Sequence, residues 1–249
     1  TNVYKTTPTY SEYDYTYWSS PVQNETVENV LAANPSNYIF YAVTATFNDS
    51  DNDSFDDEGD DWIIASGNLT PGIGLIAMGE GSFTTPLSSL PYPTYTQSVV
   101  FSDDVNNGEI TIDVSEDNDL SDSSLNQNLL GNPYPSAIDP VAFINANQGL
   151  EGTLYFWSHR TFISNSQPGP DAYNFTNADY DSYNLAGGVA SGAGGEVVTG
   201  FKIASGQGFF ANVTDASVDV VFNNAMRLTT ENTYFYRNQT EFQHRKIHN

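Results

Sequence analysis

Apolar residues in this chain fall in short β-branched and aromatic runs, separated by Gly, Pro, Asn and Asp. That is the punctuation of strands and turns. Tyr38 to Phe47 (YIFYAVTATF) reads as a strand, set between Asn-Pro and an acidic run. The same reading holds for 61–65, 74–78, 97–101, 109–114, 152–157, 196–203, 208–213 and 217–222. An Asn107-Gly108 step between the fourth and fifth of these first-half runs predicts a hairpin joining 97–101 to 109–114. Helix is scarce. The spacing of Val27, Val30 and Leu31 predicts two turns over 25–33. Asp139 followed by Pro140 predicts a capped turn over 140–145, with Asp139 as N-cap and Pro140 at the first helical position. Residues 165–195 read as a long loop.

These runs recur in a fixed order. Trp18-Ser19-Ser20-Pro21-Val22 is echoed by Leu130-Gly131-Asn132-Pro133-Tyr134, and Tyr38-Ile39-Phe40-Tyr41 by Leu154-Tyr155-Phe156-Trp157. Ala65-Ser66-Gly67 and the Gly72–Ala77 run return fused as Ala204–Ala211, and Val99-Val100-Phe101 returns as Val220-Val221-Phe222. Each short helix follows the first block of its half. Ordered blocks of this kind imply two copies of one supersecondary plan. The expected fold is therefore all-β, a β-sandwich of jelly-roll or immunoglobulin-like type in two pseudo-repeated halves. Its boundaries are predicted as 1–114, an acidic linker at 115–128, 129–236, and a tail at 237–249. One large sandwich and two docked ones both fit.

Charge narrows the partners. Thirty-one acids against 7 Lys+Arg give a net charge of -24. Nucleic acid is excluded as a partner, because phosphate binding needs cationic side chains. An anionic membrane surface repels such a chain, and no apolar run is long enough for insertion. With no cysteine there is no disulfide framework and no thiolate chemistry.

The densest chemical signal is the acidic run from Asp49 to Asp61. Asp49, Asp51 and Asp53 alternate as side-chain oxygens, Phe55 falls where a backbone carbonyl would ligate, and Asp57 supplies a later carboxylate. That spacing suits Ca2+. Ser54 stands where an EF-hand has glycine, and no helices flank the run. Asp117, Asp119 and Asp122 form a weaker secondary candidate. The alternative is a solvated acidic loop.

Aromatics form a second signal. Tyr10, Tyr13, Tyr15 and Tyr17 recur about every second residue before Trp18, and Trp62 and Trp157 lie at strand ends. Tyr13, Tyr15 and Trp62 are candidates for stacking on a glycan. A period-2 strand burying one face explains the same spacing without a ligand, and Trp18 and Trp157 read as core. His159, His244 and His248 lack metal-ligand spacing, although His159-Arg160 after a strand reads as a loop anchor. No nucleophile elbow or phosphate loop is present, and no carboxylate pair can be singled out. An enzyme is not expected.

The blocks Leu129–Asp139, Gly152–His159, Ala204–Phe210 and Phe222–Arg227 resemble a module of large, type IX-secreted, adhesin-like surface proteins of gliding bacteria. In those proteins the module lies upstream of a C-terminal sorting domain. The resemblance runs from about Tyr15 to His244 and carries no catalytic set. It implies an extracellular, secreted, non-catalytic module in adhesion or cell-surface structure. The expected partners are a glycan or cell-surface protein, with the secretion machinery engaged through a sorting domain elsewhere in the polypeptide. Two alternatives stand beside it, a carbohydrate-binding module of a polysaccharide-degrading enzyme and a structural subunit of an extracellular assembly.

Overall fold

The computed structural model describes residues 1–43, 61–115, 127–168, 172–189, 200–214 and 217–230. The acidic runs holding Asp49, Asp51, Asp53, Phe55 and Asp57, and Asp117, Asp119 and Asp122, lie outside the described residues, as does the tail. What is described is an all-β sandwich.

The first half contributes β1 (Asn2–Thr6), β2 (Tyr10–Ser11), β3 (Tyr15–Trp18), α1 (Val27–Val30), β4 (Ile39–Ala42), β5 (Trp62–Ile64), β6 (Leu75–Met78), β7 (Thr94–Tyr95) and β8 (Ser98–Ser102). The second contributes β9 (Ile110–Ser115), β10 (Gln127–Gly131), α2 (Pro140–Ala146), β11 (Leu150–Trp157), β12 (Tyr180–Asn184), β13 (Gly187–Val189), β14 (Gly208–Val213) and β15 (Ser217–Phe222). One sheet has the order β3-β6-β4-β5 and the other β10-β14-β11-β12-β13. Position for position these are the same antiparallel plan, with β13 added at one edge. Each half also closes an outer ribbon, β1 with β8 and β9 with β15.

Those ribbons overturn the predicted hairpin. β8 and β9 are joined through Asn107-Gly108, yet neither pairs with the other. The turn cue is local, whereas the partner of each strand is set by closure of its own half. Within 165–195, read as loop, the described residues include β12 and β13. The cue is weak there because β12 carries polar residues and β13, the edge strand, is Gly-Gly-Val and too short for a pattern. Of the run 196–203, the described residues make a single bridge, Ile138 to Ile203. The α2 prediction matches: Asp139 caps the helix by accepting from the Val141 amide, and Pro140 opens it.

Alternation along the strands explains why neither sheet face is polar. On β3, Trp18 enters a core with Val27, Leu31, Leu75, Ala77 and Phe101, while Tyr17 enters a separate layer with Leu129, Trp157 and Phe210. On β14, Phe209 and Ala211 face the second half's core, while Phe210 faces the shared layer. Each sheet is thus covered outside by its own helix and ribbon, and inside by an aromatic layer common to both halves. Strands buried on both faces read as continuous apolar runs, which is what 75–78 and 208–211 are, while β4 is buried at Ile39 and half-buried beyond it. In the layer, Tyr17 stacks on Trp157 at 6.1 Å and Trp62 meets Phe210 edge-on at 6.1 Å.

The repeated Ser-Pro-Val and Asn-Pro-Tyr blocks have a common task. Val22 N–H donates to Ser20 Oγ, and Tyr134 N–H donates to Asn132 Oδ1. Each polar side chain turns the chain sharply before a proline. Asn132 also donates through Nδ2 to the carbonyls of Ser136, Ile203 and Ala204. The halves then exchange bridges symmetrically, Trp18 with Gln207 and Ile73 with Leu130. Asn106 adds a cross-tie by donating to the carbonyls of Ser20 and Pro133.

Candidate functional site

At one end of the molecule the segment Glu12-Tyr13-Asp14 gathers loops from both halves. The alternation of tyrosines predicts one continuous strand here, but β2 stops at Ser11. Asp14 N–H donates to the Ser11 carbonyl, and Ser11 N–H donates to Asp14 Oδ2 at 2.8 Å. A short acidic side chain that captures a nearby amide competes with the sheet ladder and makes a turn instead. Tyr13 is left in the left-handed region at φ 72.

The two acids flanking Tyr13 face inward. Glu12 accepts from the Ser82 hydroxyl at 2.9 Å. Burial would raise its carboxyl, but hydrogen bonds from the Thr85 and Ser82 side chains and the Phe83 and Thr85 amides outweigh this and hold it below the usual carboxylate range. Amides converging on one carboxylate bend the 82–85 loop tightly, and Phe83 sits at φ 49. Asp14 reaches across the junction, its Oδ1 lying 2.9 Å from His159 Nε2 with both side chains buried. His159 in turn is at φ 44, edge-on to Trp157 and Phe175.

Next to it, Arg160 pairs with Asp181 at 2.7 Å. Buried Asp179 accepts from the amide and the hydroxyl of Thr161. His159-Arg160 is therefore the loop anchor that the sequence predicts, and its partner across the halves is Asp14.

Three tyrosine hydroxyls pin the 80–93 loop by donating to its carbonyls: Tyr10 to Glu80, Tyr13 to Thr85 and Tyr92 to Leu87. The rings of Tyr13 and Phe83 lie 5.8 Å apart, Tyr13 and Tyr92 5.2 Å, and Tyr92 and Phe162 5.2 Å. Tyr92 is buried beneath the cluster, while Tyr13 and Phe83 are half-buried at its surface. Ser82, Thr84 and Tyr95 place hydroxyls in one hydrogen-bonded row, 3.1 Å and 3.4 Å apart. Partial burial, with the Glu12 charge beside it, raises the Tyr13 phenol.

Of the three glycan candidates, Tyr13 alone belongs to this corner. Tyr15 packs against Phe40 and Phe175, and Trp62 against Phe210, both in the layer between the sheets. The reading of Tyr15, Tyr17 and Trp18 as an alternating strand fits β3. Glu12, Asp14 and Phe83 are the residues that sequence reasoning missed. Two carboxylates alternating with tyrosines inside an otherwise apolar run were the available signal. Among the described residues, no three His, Cys, Asp or Glu side chains gather as a metal site, and no helix is long and apolar enough to cross a membrane.

None of the curated proteins and none of the solved structures matches this chain. One family profile does, over residues 1–249, and the chain belongs to that family, described as a domain of unknown function (DUF8693).

Proposed function

We propose that this chain is a non-catalytic module of a secreted bacterial surface protein, acting in adhesion or cell-surface structure. The observation that carries the reading is the use made of the buried charge. Asp14 with His159, Arg160 with Asp181, and Asp179 with Thr161 are all closed on partners within the chain. These groups brace loops against each other. A catalytic carboxylate or imidazole must instead reach a substrate. Charge spent on bracing, with two sheets joined through one aromatic layer, makes a rigid body that presents its loops passively.

The acidic segment Asp49–Asp57 is the proposed calcium site of this module. Carboxylates at alternate positions repel one another until a cation neutralises them, so the ion would stiffen the segment. Type IX secretion and the extracellular location enter on the resemblance of the 129–159 block.

Adhesion is testable directly. Cell-sized beads carrying the chain should adhere to surfaces coated with polysaccharide or with cell-envelope material, in calcium. Chelator should lower both adhesion and the melting temperature. Beads that adhere to neither surface in calcium would remove the adhesive reading, and an unchanged melting temperature in chelator would remove the calcium site.

A further inference from the structure

We propose that the corner built on Glu12-Tyr13-Asp14 is a binding site for an uncharged polysaccharide chain. Tyr13 and Phe83 would act as the stacking platform, and Ser82, Thr84 and Tyr95 as the hydroxyl rim. The inference rests on the reading of this chain as a non-catalytic surface module and names the ligand class of that module.

Backbone strain carries the first part of the argument. Four non-glycine residues have positive φ among those described, and three of them, Tyr13, Phe83 and His159, are ring-bearing residues meeting at this corner. A bulky side chain in the left-handed region is disfavoured, and strain of this kind persists only where surrounding contacts over-determine it. Here the contacts are on the page. Glu12 holds the loop that bears Phe83, Asp14 holds His159, and Tyr13 lies between the two acids. The result is that the Tyr13 and Phe83 rings are brought to the surface side by side and fixed there. Glycine would adopt either backbone conformation without this strain, but it would supply no ring.

The chemistry of the exposed rim carries the second part. Both acids are turned inward onto partners, so the rim offers aromatic carbon and hydroxyl oxygen with little charge. Aromatic rings with a few fixed polar groups suit a ligand that has apolar faces and hydroxyl edges. Sugars have that form. A net charge of -24 on the chain repels polyanions, which leaves neutral saccharides as the class. The site is a surface formed by loops of both halves, 80–93 from the first and 158–163 from the second, so it exists only when the halves are docked.

The test is affinity electrophoresis of the whole chain in gels containing a soluble neutral β-glucan, xylan or galactomannan, with a sulfated polysaccharide as the charged control. The expected result is retardation by at least one neutral polymer and none by the sulfated one. Tyr13→Ala and Phe83→Ala should each weaken that binding at least tenfold, while Tyr4→Ala, at an exposed tyrosine on β1, should leave it unchanged. Tyr13→Gly and Phe83→Gly separate function from folding, because glycine relieves the positive-φ strain and so offsets part of the lost ring contacts, and each variant should remain folded by circular dichroism and yet lose binding. Retention of binding by the glycine variants would overturn the proposal, as would failure of every neutral polymer to bind. If beads still adhere to the cell-envelope surface in that case, the module reading stands and only the saccharide site falls.

Discussion

Tyr13 shows how much one residue's neighbours decide. By spacing it belongs to a strand with Tyr15 and Tyr17, and only the acids on either side put it elsewhere. The amides that Glu12 captures lie in a loop distant in sequence, and the amide that Asp14 captures is that of nearby Ser11, a polar contact that hydrophobic periodicity does not register. Asp14 offers a test. Removing one member of a buried pair typically costs about 3 kcal/mol, so Asp14→Ala should lower stability by that order in urea unfolding. In His159→Ala the same change should cost much less, the pair being already broken. Equal effects in both backgrounds would mean that the contact contributes nothing.

Lys5 gives a second residue-scale test through pH. Burial lowers its amine from the ordinary value to about 8. The unfolded chain therefore binds this proton more tightly than the folded one. Stability contributed at this site is smallest below pH 8 and recovers as pH rises from about 8 toward the unfolded value of about 10.4. Lys5→Met should remove that rise. The measurement is the difference in unfolding free energy between variant and wild type across pH 7 to 10, and a flat difference would contradict it.

Among the elements, legibility followed burial. Strands β6 and β14 were readable because both of their faces are covered, leaving continuous apolar runs, and half-buried β4 keeps such a run as well. α2 was readable because Asp139 and Pro140 are local signals that act locally. β12 and β13 were not, since β12 carries polar residues such as Asp181, Ser182 and Asn184, and β13 is a three-residue edge strand with two glycines. The repeated blocks were legible as a pattern but not as a mechanism. What repeats is a side chain that turns the backbone before proline. Asn132 makes the stronger version, bonding three carbonyls and one amide. Asn132→Ala would remove the side-chain donor from the Ser136 carbonyl and the acceptor from the Tyr134 amide, while the Ile203 and Ala204 carbonyls keep the Ile138 and Gln207 amides, at about 1–3 kcal/mol for each unsatisfied group. Chemical denaturation should show a loss at the top of that range or above, while the analogous Ser20→Ala loses less.

At the scale of the molecule the halves are mutually dependent. Gly131 lies against Ser19, where an added Cβ would collide with that side chain. The Trp18–Gln207 and Ile73–Leu130 bridges close on either side of this contact. Gly131→Val should therefore separate the sheets, seen as loss of the near-ultraviolet signal of the Tyr17–Trp157 stack before loss of the strand signal. The same dependence explains why the candidate site was only partly legible. Tyr13 was visible from its own segment, but Phe83 reaches it through a loop some 70 residues on in the same half, and His159 and Phe162 reach the corner only through docking of the halves. Composition pointed toward divalent cations and away from nucleic acid, and it left the ligand open.

The central claim is that this body binds and does not turn over. The most direct measurement follows both in one sample: the chain is incubated with a neutral polysaccharide that it retains, the complex is recovered, and bound polymer and newly formed reducing ends are counted together. The account predicts saturable retention with polymer recovered at its original length and no new ends above the protein-free control. New reducing ends that grow with time and protein concentration would contradict it.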